Sequence, residues 1–394
     1  MLEGVNVALG VSGSIAAVKC VELAHELRRH GASVRGVMTP AARGIIHPWA
    51  LEFATERDVV TEITGRVEHV ELCGREGWAD VLLLAPATAN TVGKVASAVD
   101  DTPVTTCATT ALGAGVPVVC APAMHEPMYD HPGVMDALGQ LDEWGVEFVD
   151  PRLEEGKAKI ATEDAIVTGV ARAVSERPLA GRHVVVTAGA TAESLDPVRL
   201  LTNRSSGKMG RALARACHAR GATVTLVHGT GSTKPDVDTH YADVEWVESS
   251  EEMLDATLDA CASADVLASA AAISDFTVEM ADEKIRSGEA RTLDLHPAPK
   301  LIDTVRERYP DLTIVGFKTE TSGDDEAMVE EARRIMDRSD LAFVVANDAS
   351  VMGSEETRAL FVSRDSSDAF VGSKLALGVE ITDELVRVLA DGTP

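Results

Sequence analysis

Short apolar runs, most of them rich in Val, alternate with amphipathic helical patterns along this chain, and no other feature restricts its fold as much. In the first half the runs are residues 6–9, 33–38, 81–85, 116–121 and 146–149, separated by helical patterns such as 15–29, which Gly31 closes. Strands this uniformly apolar are buried on both faces, so a parallel sheet with helices on each side is expected. A helical run over 163–175 ends at ERPLAGR (176–182), whose Pro and Gly mark a linker. The rhythm then restarts, with strands expected at 184–187, 223–227, 266–269, 313–316 and 342–345. Helices are expected at 208–220, 251–261, 326–338 and 383–390. The expectation is two α/β domains, residues 1–176 and 183–394, joined by 177–182. A chain of 394 residues is long enough for two buried cores.

Composition excludes several classes of function. With 63 acidic and 36 basic residues the formal charge is −27, which repels nucleic acid and anionic membranes alike. The acidic residues are spread along the chain and Lys is scarce beside Arg, a pattern suited to concentrated salt and a halophilic source. Six cysteines (20, 73, 107, 120, 217, 261) show no CxxC or other ligand spacing, which points to reduced core thiols and away from structural zinc. The opening MLEGVNVALG has no basic run, and no apolar stretch nears the roughly 18 residues that span a bilayer. A cytoplasmic protein without leader or anchor is expected.

In so acidic a chain, clustered cations and Gly-rich turns carry more meaning than usual, because a phosphorylated ligand must overcome the background field. GVSGSIAA (10–17) joins the first strand to the first helix; it is not GxGxxG, and it suits one phosphate better than two. The loops TPAARG (39–44), APATANTVGK (85–94) and APAMHEPM (121–128) should complete a rim at the carboxyl ends of the strands. In the second half VVVTAGAT (184–191) and LDPVR (195–199) lead into NRSSGKMG (203–210), an anion cradle with Arg199, Arg204 and Lys208 beside it. Met209 follows the lysine where Ser or Thr would hold magnesium in a P-loop, so that class is disfavoured. The plainer alternative is a Gly-rich αβ loop with a solvated lysine.

These segments carry a resemblance. GVSGSIAA, HVEL (69–72), WADVLLLAPATANTVGKVA (78–96) and PAMHEPM (122–128) resemble the flavin-dependent phosphopantothenoylcysteine decarboxylases, over most of residues 1–175. The resemblance implies a flavodoxin-like or Rossmann-like domain binding FMN through Gly10, Ser12, Gly13, Ser14 and Ile15, with Thr39, Ala87, Thr88, Asn90 and Thr106 around the cofactor. It also implies His69 as catalytic, in proton handling. Two departures stand out. His125 replaces the Asn that many bacterial members carry for the substrate carboxylate, and EEGKAKIA (154–161) has no lid cysteine. Lys157 or Lys159 is a candidate for the substrate phosphate, with a solvated loop lysine as the alternative.

In the second half TAGAT, LDPVR, NRSSGKMG, AAISDF (271–276), EKI (283–285), VGFKTET (315–321) and AND (346–348) resemble phosphopantothenate–cysteine ligase. A Rossmann-like domain is implied, in which CTP with Mg2+ activates 4′-phosphopantothenate as an acyl-cytidylate and cysteine displaces CMP. Asn203 matches the residue that stabilises the acyl-cytidylate, with Arg199 beside it. Lys284 matches the lysine on the triphosphate, and Ala272, Asp275 and Phe317 fall where the family binds cytidine. Lys208, Lys300 and Lys318 are further cations, while an Asp275–Lys284 surface ion pair is the structural alternative. VMGSEET (351–357) departs from the bacterial loops, so the lid over 4′-phosphopantothenate is unassigned, as are the magnesium ligands.

Taken whole, the chain resembles the prokaryotic bifunctional coenzyme A biosynthesis family in its archaeal form. The ligase product, 4′-phosphopantothenoylcysteine, is then the decarboxylase substrate, converted to 4′-phosphopantetheine. The resemblance also implies a homo-oligomer, with trimer contacts through the flavin domain and dimer contacts through the ligase domain. Two other readings remain: a ligase whose flavin domain is silent, and a regulatory binding protein on the flavoprotein fold.

Overall fold

A computed structural model describes residues 1–154, 156–288, 290, 292–320, 325–348 and 356–391. The chain forms two compact units, Met1–Glu176 and Arg177–Pro394.

The first unit contains strands β1 (Asn6–Val11), β2 (Ser33–Met38), β3 (Val81–Ala87), β4 (Val118–Pro122), β5 (Met124–His125), β6 (Glu147–Phe148), β7 (Arg152–Glu154) and β8 (Lys157–Lys159). Its helices are α1 (Cys20–Arg29), α2 (Pro48–Thr55), α3 (Glu68–Cys73), α4 (Ala89–Ala96), α5 (Pro103–Ala114), α6 (Glu126–Tyr129), α7 (Pro132–Glu143) and α8 (Glu163–Val174). Five strands form one parallel sheet in the order β2-β1-β3-β4-β6. That is the flavodoxin-like order, and every residue of β3 is buried, as a sheet covered on both faces requires. Leu72, Cys73, Val104, Cys107 and Leu141 pack on one face. The helix expected over 15–29 begins as a tighter 3-10 turn, Ile15–Lys19, before α1. Thr102 caps α5 with Pro103 next, a capping box worth about 1 kcal/mol. The order reverses between β1 and β3, and there the loops that follow these strands part to leave a crevice.

The second unit opens with β9 (His183–Ala190), the hairpin β10 (Ala192–Asp196) and β11 (Arg199–Thr202), α9 (Lys208–Ala219), β12 (Thr223–Thr230), β13 (Asp243–Val247) and α10 (Ser250–Cys261). It continues with β14 (Val266–Ser269), the pair β15 (Phe276–Val278) and β16 (Leu295–Pro297), α11 (Leu301–Arg308) and β17 (Thr313–Glu320). Last come α12 (Asp325–Ser339), β18 (Phe343–Asp348), β19 (Glu356–Val362), β20 (Ser367–Ser373) and α13 (Lys374–Asp391). The main sheet runs β13-β12-β9-β14-β17-β18-β19-β20, parallel up to β18 and antiparallel after it. Its six parallel strands follow the Rossmann order, with the reversal between β9 and β14.

Several elements were not expected from the sequence. The two hairpin-like pairs (β10 with β11, β15 with β16) and the three-stranded β5-β8-β7 are short, and the edge strand β13 alternates exposed Asp243 and Glu245 with Val244 and Trp246. The helix expected over 383–390 begins a full nine residues earlier, at Lys374. Gly378 interrupts its helical propensity but lets α13 approach α9 closely, because a Cβ there would lie 2.8 Å from the carbonyl oxygen of Ala212. The segment expected as a linker is part of the second unit: Leu179 is 1% exposed within its core, and its N–H donates to the Arg220 carbonyl at 3.0 Å. Among the described residues, no helix is long and apolar enough to cross a membrane.

Candidate active sites in the two units

In the first unit the crevice opens into a cavity of about 580 Å³. One wall is the turn after β1 (Gly13, Ser14, Ile15 and on to Lys19), and Thr88 comes from the loop after β3. The facing wall is His125, Met128 and the β7–β8 hairpin with Arg152, Lys157 and Lys159. Ser12 ties the two loops together: its hydroxyl donates to the Pro86 carbonyl at 2.6 Å and accepts the Thr88 N–H at 3.1 Å. With its hydroxyl bonded on both sides and the residue 1% exposed, Ser12 fixes the shape of the crevice from beneath. Gly10, Thr39 and Ala87 are likewise buried, Thr39 accepting the Ala42 N–H at 3.1 Å. Gly13 matters for close approach, since a Cβ there would lie 2.5 Å from the Ala41 Cβ. Thr88 caps α4 through Thr91, and Ser14 accepts the Ala16 N–H. Asn90 is exposed on α4, and the Thr106 hydroxyl donates to the Thr102 carbonyl at 2.9 Å; neither lines the cavity.

The cations of the facing wall are not equivalent. Glu154 accepts from Arg152 at 3.2 Å and from Lys159 at 3.0 Å. Lys157 is exposed, pairs in register with His125 and makes no ion pair among the described residues. His125 is exposed at the start of α6, with no capping bond from its ring. Arg152 was not singled out in the sequence; only the hairpin brings it to the cavity.

His69 sits elsewhere, on α3, and is not among the residues lining the cavity. Its Nδ1 is buried and has no hydrogen-bond partner. The preceding residue fixes the start of α3: Glu68 accepts the Thr64 N–H at 2.8 Å and bonds the Thr64 hydroxyl. The Thr64 hydroxyl and then its N–H hold the Glu68 carboxyl down at about 2. Sequence reading missed this clamp because it joins two ordinary polar residues in a loop.

In the second unit three loops meet where the strand order reverses. Asn203, after β11, donates through Nδ2 to the Ala272 carbonyl at 2.6 Å and accepts the Ser205 N–H at 3.1 Å. Ala272, after β14, donates its N–H to Gly189 at 2.8 Å. Thr191 reinforces the clasp, accepting the Ser274 N–H at its hydroxyl and the Thr202 hydroxyl at its carbonyl. Gly207 (φ +70°) precedes α9, and no side chain caps that helix, so its first-turn N–H groups face the NRSSGKMG turn beside Lys208.

Arg199 does not turn toward Asn203. Its NH1 lies 2.5 Å from Asp196 Oδ2 and donates to the Ile285 carbonyl at 2.7 Å. Asp196, absent from the sequence expectations, also accepts the N–H groups of Ile285, Val198 and Arg199 at 2.8 to 2.9 Å. Burial works to raise its carboxyl, but these donors prevail and hold it at about 2. The staple fixes the backbone next to Lys284, which is exposed and has no ion pair among the described residues. Asp275 pairs with Lys300 at 2.6 Å rather than with Lys284. Phe317 and Lys318 are neighbours on β17 and so point to opposite faces. Phe317 packs in the cluster containing Met209, whereas Lys318 lowers the Glu331 carboxyl of α12 electrostatically, a lesser contribution after the Arg334 hydrogen bond. Residues 351–355, where the lid was left unassigned, lie outside the described residues, as do Glu155 in the first unit's expected lid and Thr321.

Residues 1–175 match the family model described as Flavoprotein, and residues 179–389 match the DNA/pantothenate metabolism flavoprotein C-terminal domain. The chain is 48% identical over 391 residues to the Coenzyme A biosynthesis bifunctional protein CoaBC of Thermococcus kodakarensis, covering 98% of this chain and 96% of the relative. Proteins of the same name are 33% identical in Methanocaldococcus jannaschii (99% and 95% covered) and in Bacillus subtilis (98% of each).

Proposed function

The chain belongs to the family of coenzyme A biosynthesis bifunctional proteins, and on that premise we propose that its units perform consecutive reactions. The second unit joins 4′-phosphopantothenate to cysteine at the expense of CTP. The first decarboxylates the resulting 4′-phosphopantothenoylcysteine with the aid of a flavin, FMN.

The cavity at the β1/β3 reversal carries the decarboxylase reading. It combines an apolar lining (Ile15, Val18, Met124, Met128) with Lys157, Lys159 and Arg152, in a chain of charge −27. A Gly13 turn too tight for a Cβ and a rim of cations suit a phosphorylated, partly apolar group such as FMN, and the orphaned His69 Nδ1 is a polar atom left for a ligand. When bound, the flavin supplies two-electron chemistry that oxidises the cysteinyl thiol so that the carboxylate can leave, then returns the electrons. Lys157 binds the substrate phosphate as an unpaired charge, and His125 donates to the substrate carboxylate. His69 moves a proton through Nδ1. Because His69 does not line the cavity of its own chain, the complete site forms between copies in a homo-oligomer. Ile15, Trp49 and Phe53, exposed at 78%, 74% and 77%, are apolar surface available to that contact.

In the second unit the turn before α9 and Lys208 receive phosphates, and Lys284, held by the Asp196 staple, adds charge to the triphosphate. Asn203 orients the acyl-cytidylate from its fixed place against Ala272. Mg2+ bound with CTP would supply charge against the phosphates, beside Lys208 and Lys284. All six thiols are buried and free, which fits a reducing cytoplasm.

One observation favours a second reading, a ligase with a silent flavin unit: among the described residues, no cysteine lines the cavity. Feeding 4′-phosphopantothenoylcysteine to flavin-loaded protein separates the two. Carbon dioxide release supports the bifunctional reading; flavin absorbance without release leaves the ligase alone. Pyrophosphate release that needs CTP, 4′-phosphopantothenate and cysteine together tests the other half.

A further inference from the structure

Arg211, in the first turn of α9, is a half-buried cation without a carboxylate among the described residues. Its NH1 donates to the Ser206 carbonyl at 2.9 Å and lies 2.7 Å from Nε2 of His228. A guanidinium only donates, so Nε2 must accept. The ring proton is then on Nδ1, which donates to the Gly229 carbonyl at 2.8 Å, and both ring nitrogens are satisfied only in the neutral form. His228 is 1% exposed, and burial pushes its titration down to about 4.

The surroundings of this ring join three parts of the ligase unit. A Cβ on Gly189, at the end of β9, would lie 2.8 Å from Nδ1, and a Cβ on Gly207, before α9, would lie 2.6 Å from Nε2. From β13, Trp246 is tilted against the ring at 4.7 Å and itself carries Lys234 Nζ at 4.4 Å. The charged and titratable groups that face His228 are therefore Arg211 directly, Lys234 through Trp246, and Tyr241 through its electrostatic effect on Arg211. Among the described residues no carboxylate competes for the guanidinium, which is held by one neutral nitrogen and one carbonyl.

We propose that His228 is a positioning residue of the ligase site: its Nε2 holds Arg211 against the Ser206 carbonyl, which keeps the Ser205–Ser206–Gly207 turn in the form that receives the nucleotide's phosphates. Arg211 also brings a positive charge, with no carboxylate partner among the described residues, to the Ser206 carbonyl of that turn. The inference rests on the ligase reading for the identity of the ligand, but the order of the turn can be measured without any ligand.

The test compares His228→Gln with His228→Met in the full chain. Both side chains are flexible and of similar length, but only Gln offers an oxygen near the place of Nε2. CTP affinity is measured by calorimetry, and hydrogen exchange at residues 203–210 is measured in the free protein. The expected result is near wild-type affinity and protection for Gln, with about tenfold weaker CTP binding and faster exchange for Met, a loss typical of one charge-assisted contact. Arg211→Ala should match His228→Met, and combining them should add little. Equal behaviour of Gln and Met, or full additivity with Arg211→Ala, would overturn the proposal. Wild-type protein that neither binds CTP nor ligates would instead refute the ligase reading, and exchange at the turn would still decide the role of His228.

Discussion

Asp196 and Arg199 lock each other at the turn of the β10–β11 hairpin, NH1 to Oδ2 at 2.5 Å, and both reach across to the backbone of Ile285. The buried carboxylate thus determines where Lys284 is held. Replacing Asp196 with Asn puts an amide where backbone N–H groups converge, and ligation should fall at least about tenfold while decarboxylation persists. The folded carboxyl titrates at about 2, below its unfolded value of about 4. Its stabilisation is therefore complete above the unfolded value and is lost as pH falls toward 2. Thermal melts of the ligase unit's transition between about pH 5 and pH 2 should drop more steeply for wild type than for Asp196→Asn; parallel curves would contradict the staple.

His69→Asn should cut decarboxylation by about a hundredfold or more, the scale of a lost general acid or base, and leave ligation untouched. Flavin absorbance should survive, since the Gly13 turn and the cations of the cavity wall are unchanged in this variant. Rates of carbon dioxide and pyrophosphate release on the same preparation check both statements, and joint loss of the two activities would count against separate sites.

Asn203→Asp reverses the pattern. A carboxylate cannot donate to the Ala272 carbonyl, so the bond at 2.6 Å becomes a repulsion and the clasp between the loops opens. Pyrophosphate release should fall by about a hundredfold with decarboxylation intact. An unaffected ligase would remove Asn203 from the site.

The two hairpin lysines should separate kinetically. Lys159 is neutralised by Glu154 whereas Lys157 is not, so Lys157→Ala should raise the decarboxylase KM about tenfold and Lys159→Ala by much less. If the two variants behave alike, the unpaired charge is not what binds the substrate phosphate.

The parallel sheets were legible because their strands are continuous apolar runs, but the strand orders were not, since one βαβ rhythm yields two different orders in the two units. The shorter additions were not, because a two-residue strand such as β5 leaves no period to read. The ties of Ser12 were hidden for a similar reason: its partners, Pro86 and Thr88, are far away in the chain, and nothing local reveals them. Arg199 was drawn toward Asn203 by proximity in sequence, yet it is Asp196, three residues earlier, that captures it. Strand alternation alone places Phe317 and Lys318 on opposite faces of β17, a relation legible in the sequence.

Leu179 changes where the two activities could be divided between genes. Since the core of the ligase unit already includes this residue, a coding boundary after Glu176 leaves each polypeptide with its hydrophobic interior whole, whereas one after Arg182 removes a buried leucine from the second. A split or exchange of the two halves is therefore expected to be tolerated at Glu176 and to destabilise the second half when made after Arg182, at the far end of the Pro-Gly stretch.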